Sequence, residues 1–176
     1  RVKEDQLGQI FTHDICSSGT IFKTPPIKKG PSTARCLILV TPDAERTMCT
    51  FLGASVFLNQ EDIDLSLVRE SKVLYLEGYL WDNPEAKNAF ISAAIECKSA
   101  GGEVALSLSD TFCIERHRSS LQDLLENHVN ILFANESEII SLYENKSFEE
   151  AKDNIRSKCD IAVLTKGKDG SLIITS

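Results

Sequence analysis

Residues 130–143, NILFANESEIISLY, decide the fold class, because an apolar strand-like run passes directly into a helical pattern. The run NILFA predicts a buried strand, and the apolar residues that return at helical spacing predict a helix from about Glu136. Strands that alternate with helices in this way build parallel sheets. A polar cluster, Asn135 to Glu138, separates the two elements and marks the point where the chain leaves the core.

The same alternation extends upstream of this stretch. KVLYLEG (residues 72–78) and EVALSLS (residues 103–109) are predicted strands, and a helix is predicted after each. The first of these helices has Pro84 in its first turn and ends at Gly101. Its predicted buried face consists of apolar residues at helical spacing, namely Ala86, Ala89, Phe90, Ala93, Ala94 and Cys97.

Downstream, a helix is predicted over residues 148–158. Two further strands are predicted at IAVLT (residues 161–165) and GSLIIT (residues 170–175), with a turn at residues 168–170 between them. The strands are continuously apolar, which is typical of a parallel sheet covered by helices on both faces. The sequence therefore predicts an α/β fold.

The first seventy residues follow a different pattern. A helix is predicted over residues 5–18, and the strand-like text that follows is interrupted by prolines and glycines. We interpret this region as a small antiparallel flap attached to the larger unit. The predicted division assigns residues 1–18 and 54–176 to the α/β core and residues 19–53 to a β lid.

Composition and charge exclude several classes of protein. Apolar residues make up 42% and charged residues 26% of the chain, which is ordinary for a globular domain. The net charge of −7 argues against an extended electrostatic binding surface for nucleic acid or an anionic membrane. No apolar run is long enough to span a bilayer. The six cysteines lack CxxC spacing and mostly sit in apolar patterns, so we predict reduced core residues in a cytoplasmic protein.

Both ends of the chain resemble points at which a longer folded chain has been truncated. The chain begins with RVKEDQLG, without methionine, and ends with GSLIITS, in a predicted strand. We therefore expect a fragment truncated at both ends.

Candidate functional residues follow from the rule that parallel α/β sheets bind ligands beyond the carboxyl ends of their strands. This rule selects Glu77-Gly78, Ser109-Asp110, Asn135 to Glu138, and Thr165-Lys166-Gly167. Asn135 and Glu138 are three residues apart, so they can share a helix face, and a carboxylate there can hold Mg²⁺. The alternative is a helix start whose acidic residues complement the macrodipole.

The other candidates each have a functional and a structural interpretation. Thr165 and Gly167 can pack against a nucleotide or form an ordinary turn. Asp110 can bind a ligand or cap the following helix. Arg46, in TPDAERT, can stabilise charge on a transferring phosphoryl group or lie in an exposed turn. The histidines are interpreted as structural or exposed, since no Walker A, GxGxxG, GxSxG or HExxH pattern occurs.

Five segments of the chain, taken in order and with their spacing, match the pattern of a known family over essentially the whole chain. They are EDQLG, TARCLILVTPDAERTM, LYLEGYLWD, LFANESEI and LTKGKDGSLI. Together they resemble the middle of the ribokinase-like (PfkB) family of carbohydrate and nucleoside kinases, and within it the bacterial adenosine kinases. The resemblance implies a three-layer α/β/α core with a mostly parallel sheet and a small β lid.

The resemblance also implies an activity and a set of site residues. It implies Mg²⁺-assisted transfer of a phosphoryl group from ATP to a hydroxymethyl group, with adenosine as the leading acceptor. The family's Asn-x-x-Glu motif, which organises metal and phosphates, falls on Asn135 and Glu138, with Glu138 toward the metal. Thr165 and Gly167 match its nucleotide-lining Thr-x-Gly. Arg46 matches its phosphoryl-stabilising arginine, and Asp110 aligns with an acidic position near the phosphates.

Other expectations follow from the same resemblance. The protein is expected to act in purine salvage, and a homodimer is possible. The family's Gly-Ala-Gly-Asp segment, which supplies the catalytic base and an anion hole, does not occur in residues 1–176. This stretch alone is therefore expected to be inactive. A sugar kinase of the ribokinase or fructokinase type, and an inactive nucleotide-binding module, remain as alternatives.

Overall fold

The computed structural model describes residues 1–175 of the 176-residue chain. The α-helices are α1 (Gln6–Ser17), α2 (Leu65–Glu70), α3 (Pro84–Ser99), α4 (Thr111–His128), α5 (Glu136–Tyr143) and α6 (Phe148–Ile155). The strands are β1 (Arg35–Val40), β2 (Arg46–Phe51), β3 (Val73–Glu77), β4 (Glu103–Ser107), β5 (Ile131–Asn135), β6 (Ile161–Thr165) and β7 (Ser171–Thr175). Within the described part of the chain, no helix is long and apolar enough to cross a bilayer. The chain packs as two compact units, Arg1–Asp62 and Ile63–Ser176.

The second unit is built on a five-stranded sheet in the order β3-β4-β5-β6-β7. Neighbouring strands from β3 to β6 are parallel, whereas β7 runs antiparallel to β6. Residues 166–170 connect β6 to β7, and so short a connection permits only a hairpin, because a parallel partner needs a crossover of a dozen or more residues. The α/β fold with a mostly parallel sheet and a separate small antiparallel sheet is confirmed.

Helices cover one face of this sheet, and the strands place large apolar side chains there. The buried strand residues on this face are Leu76, Val104, Leu106, Leu132, Ala134, Ala162, Leu164 and Ile174. The prediction that both faces are covered is wrong for the other face, where Val73, Tyr75, Phe133 and Ile173 are 37–64% exposed. Continuous apolar strands indicated burial on both faces, but these four side chains are exposed among the described residues.

The helices of this unit match their sequence patterns closely. All six predicted face residues of α3 are buried, and Asn83 caps the helix directly before Pro84. The helix α5 begins at Glu136, as predicted. The helix α6 ends at Ile155 rather than at residue 158, because the backbone N–H groups of Ser157 and Lys158 both bind the Ile155 carbonyl and close a turn.

In the first unit, Asp5 fixes the start of α1. Its carboxylate accepts hydrogen bonds from the backbone N–H of Gly8 at 2.8 Å and from the N–H and hydroxyl of Thr33 at 2.9 and 2.7 Å. Hydrogen bonds from Thr33, with a further one from Gly8, lower the pKa of the Asp5 carboxyl. A side chain at Gly8 would lie 2.0 Å from the Lys3 carbonyl oxygen, so only glycine fits at this position.

The strands β1 and β2 form an antiparallel hairpin in which every residue is exposed. This agrees with an antiparallel element in the first seventy residues. The compact unit extends over residues 1–62, and the division into a core of residues 1–18 and 54–176 and a lid of residues 19–53 stays a prediction.

All six cysteines are free thiols, as predicted, but they do not share one environment. Cys97 and Cys113 are buried, Cys159 is half-buried, and Cys16, Cys36 and Cys49 are exposed. The core interpretation is wrong for these last three residues. Apolar neighbours indicated burial, but Cys36 and Cys49 lie on the exposed hairpin and Cys16 lies at the exposed end of α1.

Candidate active site

A cavity of 320 Å³ lies at the carboxyl ends of the parallel strands in the second unit. Parallel pairing aligns these ends, with Glu77 opposite Ser107 and Asn135 opposite Thr165. The residues that line the cavity are Glu77, Tyr79, Ser107, Ser109, Phe133, Ala134, Asn135, Glu138 and Thr165. The structure therefore brings together three of the predicted site residues, Asn135, Glu138 and Thr165.

Asn135 and Glu138 form a reciprocal capping box at the start of α5. The Asn135 side-chain oxygen accepts from the Glu138 N–H at 2.9 Å, and the Glu138 carboxylate accepts from the Asn135 N–H at 2.9 Å and from its side-chain amide at 2.8 Å. These hydrogen bonds show that the two residues stabilise the start of a helix, which was the structural interpretation of the motif. Because both residues also line the cavity, their role toward metal and phosphate stays a prediction.

Glu138 is a buried carboxyl group, only 7% exposed. Burial raises its pKa, and the charges of Asp110 and Glu77 act in the same direction, while the hydrogen bond from Asn135 opposes them. A bound cation would stabilise the charged form of such a buried carboxylate. The cation would offset both the cost of removing the carboxylate from water and its repulsion from the neighbouring carboxylates.

A second polar group in the cavity is formed by Glu77 and Ser109. The Ser109 hydroxyl accepts a hydrogen bond from the Gly78 N–H at 3.0 Å and donates one to the Glu77 carboxylate, which also accepts from the Tyr75 hydroxyl at 3.1 Å. Ser109 has a φ of 68°, in the left-handed region that non-glycine residues seldom adopt. The sequence placed both residues at the strand ends without assigning either a role.

Thr165 lines the cavity, whereas Gly167 lies beyond it, in the turn that joins β6 to β7. Gly167 has a φ of 54° and Gly170 a φ of 88°, so both occupy conformations that suit glycine. Apart from the adjoining residues, no heavy atom of residues 1–175 lies within 4 Å of the position that a Cβ would take at either glycine, which leaves the backbone of the turn open to a ligand.

Asp110 does not line the cavity. It caps α4, and its carboxylate accepts a hydrogen bond from the Phe112 N–H at 2.6 Å. Its charge nevertheless raises the pKa values of Glu138 and Tyr79, although burial has the larger effect on both. The structure therefore shows the capping role, and a role toward a nucleotide stays a prediction.

Arg46 belongs to the first unit and is described there alone. It is the first residue of β2, lies opposite Val40 in the hairpin, and is exposed. Among residues 1–175 its guanidinium makes no hydrogen bond or ion pair to the protein. An arginine without a protein partner keeps its donors available for an anion, and this leaves its predicted catalytic role open.

The oxygen atoms of the cavity fit a magnesium ion bound together with phosphate. No group of three or more His, Cys, Asp or Glu side chains that could hold a metal ion occurs within residues 1–175. Mg²⁺ commonly takes one or two carboxylates and completes its shell with water and phosphate oxygens. Glu77 and Glu138 supply carboxylates of this kind, and Thr165 adds a hydroxyl.

A parallel α/β sheet with an oxygen-lined cavity at its carboxyl edge defines a class of small-molecule-binding α/β proteins. Comparison with known families is more specific. The model of the pfkB family carbohydrate kinases matches residues 1–176, and the chain therefore belongs to this family.

Solved structures agree with this assignment. The adenosine kinase from Sinorhizobium meliloti superposes with a TM-score of 0.94 at 45% identity, over 99% of this chain and 54% of that one. A "probable sugar kinase protein" from Rhizobium etli CFN 42 gives a TM-score of 0.95 at 45% identity, over 99% and 53%. The chain thus spans about half the length of these two proteins.

A more distant structure shows the same fold. A "putative Ribokinase II" from E. coli, solved in complex with ATP and Mg²⁺, gives a TM-score of 0.87 at 16% identity. The match covers 99% of this chain and 57% of that one.

Proposed function

We propose that the protein carrying this chain transfers the terminal phosphoryl group of ATP to a hydroxymethyl group of a nucleoside, with adenosine as the acceptor. The observation that carries the proposal is membership of the pfkB family over the whole chain, together with 45% identity to an adenosine kinase. The oxygen-lined cavity at the carboxyl edge supports it, since phosphoryl transfer depends mainly on positioning and on neutralising charge.

In this proposal each site residue has a stated task. Glu138, with Glu77 beside it, binds Mg²⁺, and the ion neutralises charge on the phosphate oxygens. Asn135, Thr165 and the turn at Gly167 bind the nucleotide, and Asp110 borders the phosphates. Arg46 stabilises the charge on the transferring phosphoryl group. We further place the protein in the cytoplasm and in purine salvage, with a homodimer as a possible assembly.

A second candidate is a sugar kinase acting on a ribose- or fructose-type acceptor. The similarity to the Rhizobium etli protein, at the same 45% identity, favours it. The cavity does not separate the two acceptors, because its polar groups suit metal and phosphate in either case.

Incubation of the purified protein that carries this chain, rather than of residues 1–176 alone, with ATP, Mg²⁺ and adenosine tests the proposal. AMP and ADP are expected in equal amounts, and their formation should stop when Mg²⁺ is chelated. Ribose and fructose serve as competing acceptors in parallel reactions. Formation of a sugar phosphate without AMP would favour the second candidate, and no phosphorylated product with any acceptor would contradict both.

Glu138→Gln is expected to raise the Mg²⁺ concentration needed for half-maximal activity by about tenfold, because the variant loses a charged ligand of the ion. Glu136→Gln is the matched control, since Glu136 lies in the same first turn of α5 but outside the cavity. Thermal unfolding of both variants would show that the fold persists. Identical magnesium titration curves for the two variants would leave Glu138 with its capping role alone.

A further inference from the structure

Lys166 is a cation placed directly after the cavity residue Thr165. The strand β6 ends at Thr165, which lines the cavity, and Lys166 begins the turn that leads to β7. There the Lys166 ammonium lies 5.0 Å from the centre of the Phe148 ring, at the start of α6. This distance is within the range of a cation–π interaction, and it holds a long, flexible side chain in one place.

The ammonium of Lys166 has no hydrogen-bonded carboxylate among residues 1–175. Glu149, whose carboxyl group is influenced by the charge of Lys166, is engaged in an ion pair with Lys152. Lys152 is the main cause of the lowered pKa of Glu149, and the charge of Lys166 adds only a smaller effect. The three donors of Lys166 therefore remain available to an anion, with the ring face as their present contact.

Charge is distributed unevenly along the carboxyl edge of the sheet. Glu77, Asp110 and Glu138 follow the ends of β3, β4 and β5, whereas the connection after β6 carries Lys166 and Lys168. A polyphosphate with a bound cation matches this arrangement when the cation faces the carboxylates and the phosphates extend toward Lys166. The turn beside Lys166 is also open, with clear space above Gly167 and Gly170.

We propose that Lys166 binds the phosphate chain of the donor nucleotide and that Phe148 holds its ammonium ready for this contact. The inference rests on the function proposed above and assigns a residue to it. An ammonium over a ring face keeps donors that do not face the ring, so it can meet a phosphate oxygen while Phe148 restricts the position of its side chain. Lys168 is expected to contribute little, since it is exposed and makes no such contact in the described residues.

Calorimetric titration of the purified protein with MgATP tests this assignment. Lys166→Met keeps an apolar stem against Phe148 and removes the charge, and it should weaken MgATP binding by about ten- to hundredfold. Lys166→Arg should restore most of the affinity. Phe148→Leu should weaken binding by about two- to fivefold, the amount that a partly exposed cation–π contact accounts for. Lys168→Met is the matched control and should change binding by less than about twofold.

A second titration with adenosine alone should give the same affinity for wild type and Lys166→Met, because the nucleoside carries no phosphate. MgATP binding that is equal in Lys166→Met and Lys168→Met would overturn the assignment and leave the proposed function standing. A wild-type protein that binds no MgATP would overturn both.

Discussion

Replacing Arg46 by alanine is expected to lower turnover by at least about tenfold, with a smaller change in KM. A guanidinium that meets the phosphoryl group during transfer stabilises the transition state more than the bound substrate, so its loss appears mainly in kcat. The measurement is a steady-state assay of AMP formation at saturating MgATP and adenosine.

Arg35→Ala is the matched control for this substitution, since it removes the same type of side chain from the same hairpin. Arg35 is engaged with the protein, as its guanidinium lies 4.8 Å from the Phe51 ring centre and donates to the Ser32 hydroxyl at 2.9 Å. Arg46 has no such contacts among residues 1–175, so its removal should cost little stability. Turnover that is unchanged in Arg46→Ala, or lowered equally in both variants, would remove Arg46 from the site.

Gly78→Ala is expected to reduce the free energy of unfolding by about 3 kcal/mol, because overpacking against a rigid backbone cannot relax. A Cβ at Gly78 would lie 2.5 Å from the Leu108 carbonyl oxygen and 2.9 Å from that of Ser107. The same shift would disturb the hydrogen bond from Gly78 to Ser109, which positions the Glu77 carboxylate. Urea unfolding at equilibrium measures the loss.

Gly101→Ala separates steric from conformational cost. Gly101 has a φ of 83°, and beyond its chain neighbours no heavy atom in the described part of the chain lies within 4 Å of a Cβ position, so only backbone strain opposes the substitution. We expect a loss of about 1 kcal/mol there. Equal losses in the two variants would show that the end of β3 can move away from β4, contrary to the close packing described above.

The helices and strands of the second unit could be predicted because their signals are local. Asn135 and Glu138 mark the start of α5 by their spacing, and Asn83 with Pro84 marks that of α3. The direction of β7 depends on the length of its connection to β6, and a continuous apolar pattern does not contain that information. The exposure of the second sheet face could not be predicted from the apolar pattern of the strands either. Apolar residues indicate that a surface needs covering, but they do not indicate what covers it.

The candidate site was predictable to a similar extent. Asn135, Glu138 and Thr165 follow directly from the ends of strands that pair as neighbours. The partnership of Glu77 with Ser109 depends on the register of β3 against β4 and on the left-handed backbone of Ser109, and no local pattern signals that conformation. Asp110 was correctly placed at a helix start, but only the structure shows that its carboxylate is turned to the Phe112 N–H.

The cysteines of the two units differ in exposure, so the two units differ in their sensitivity to electrophiles. The three exposed cysteines, Cys16, Cys36 and Cys49, belong to the first unit. In the second unit Cys97 and Cys113 are buried, and burial raises the pKa of Cys159 to about 11, which suppresses its reactive thiolate. Oxidants and alkylating agents will therefore modify the hairpin and α1 first, and the thiols of the unit that carries the cavity will react more slowly.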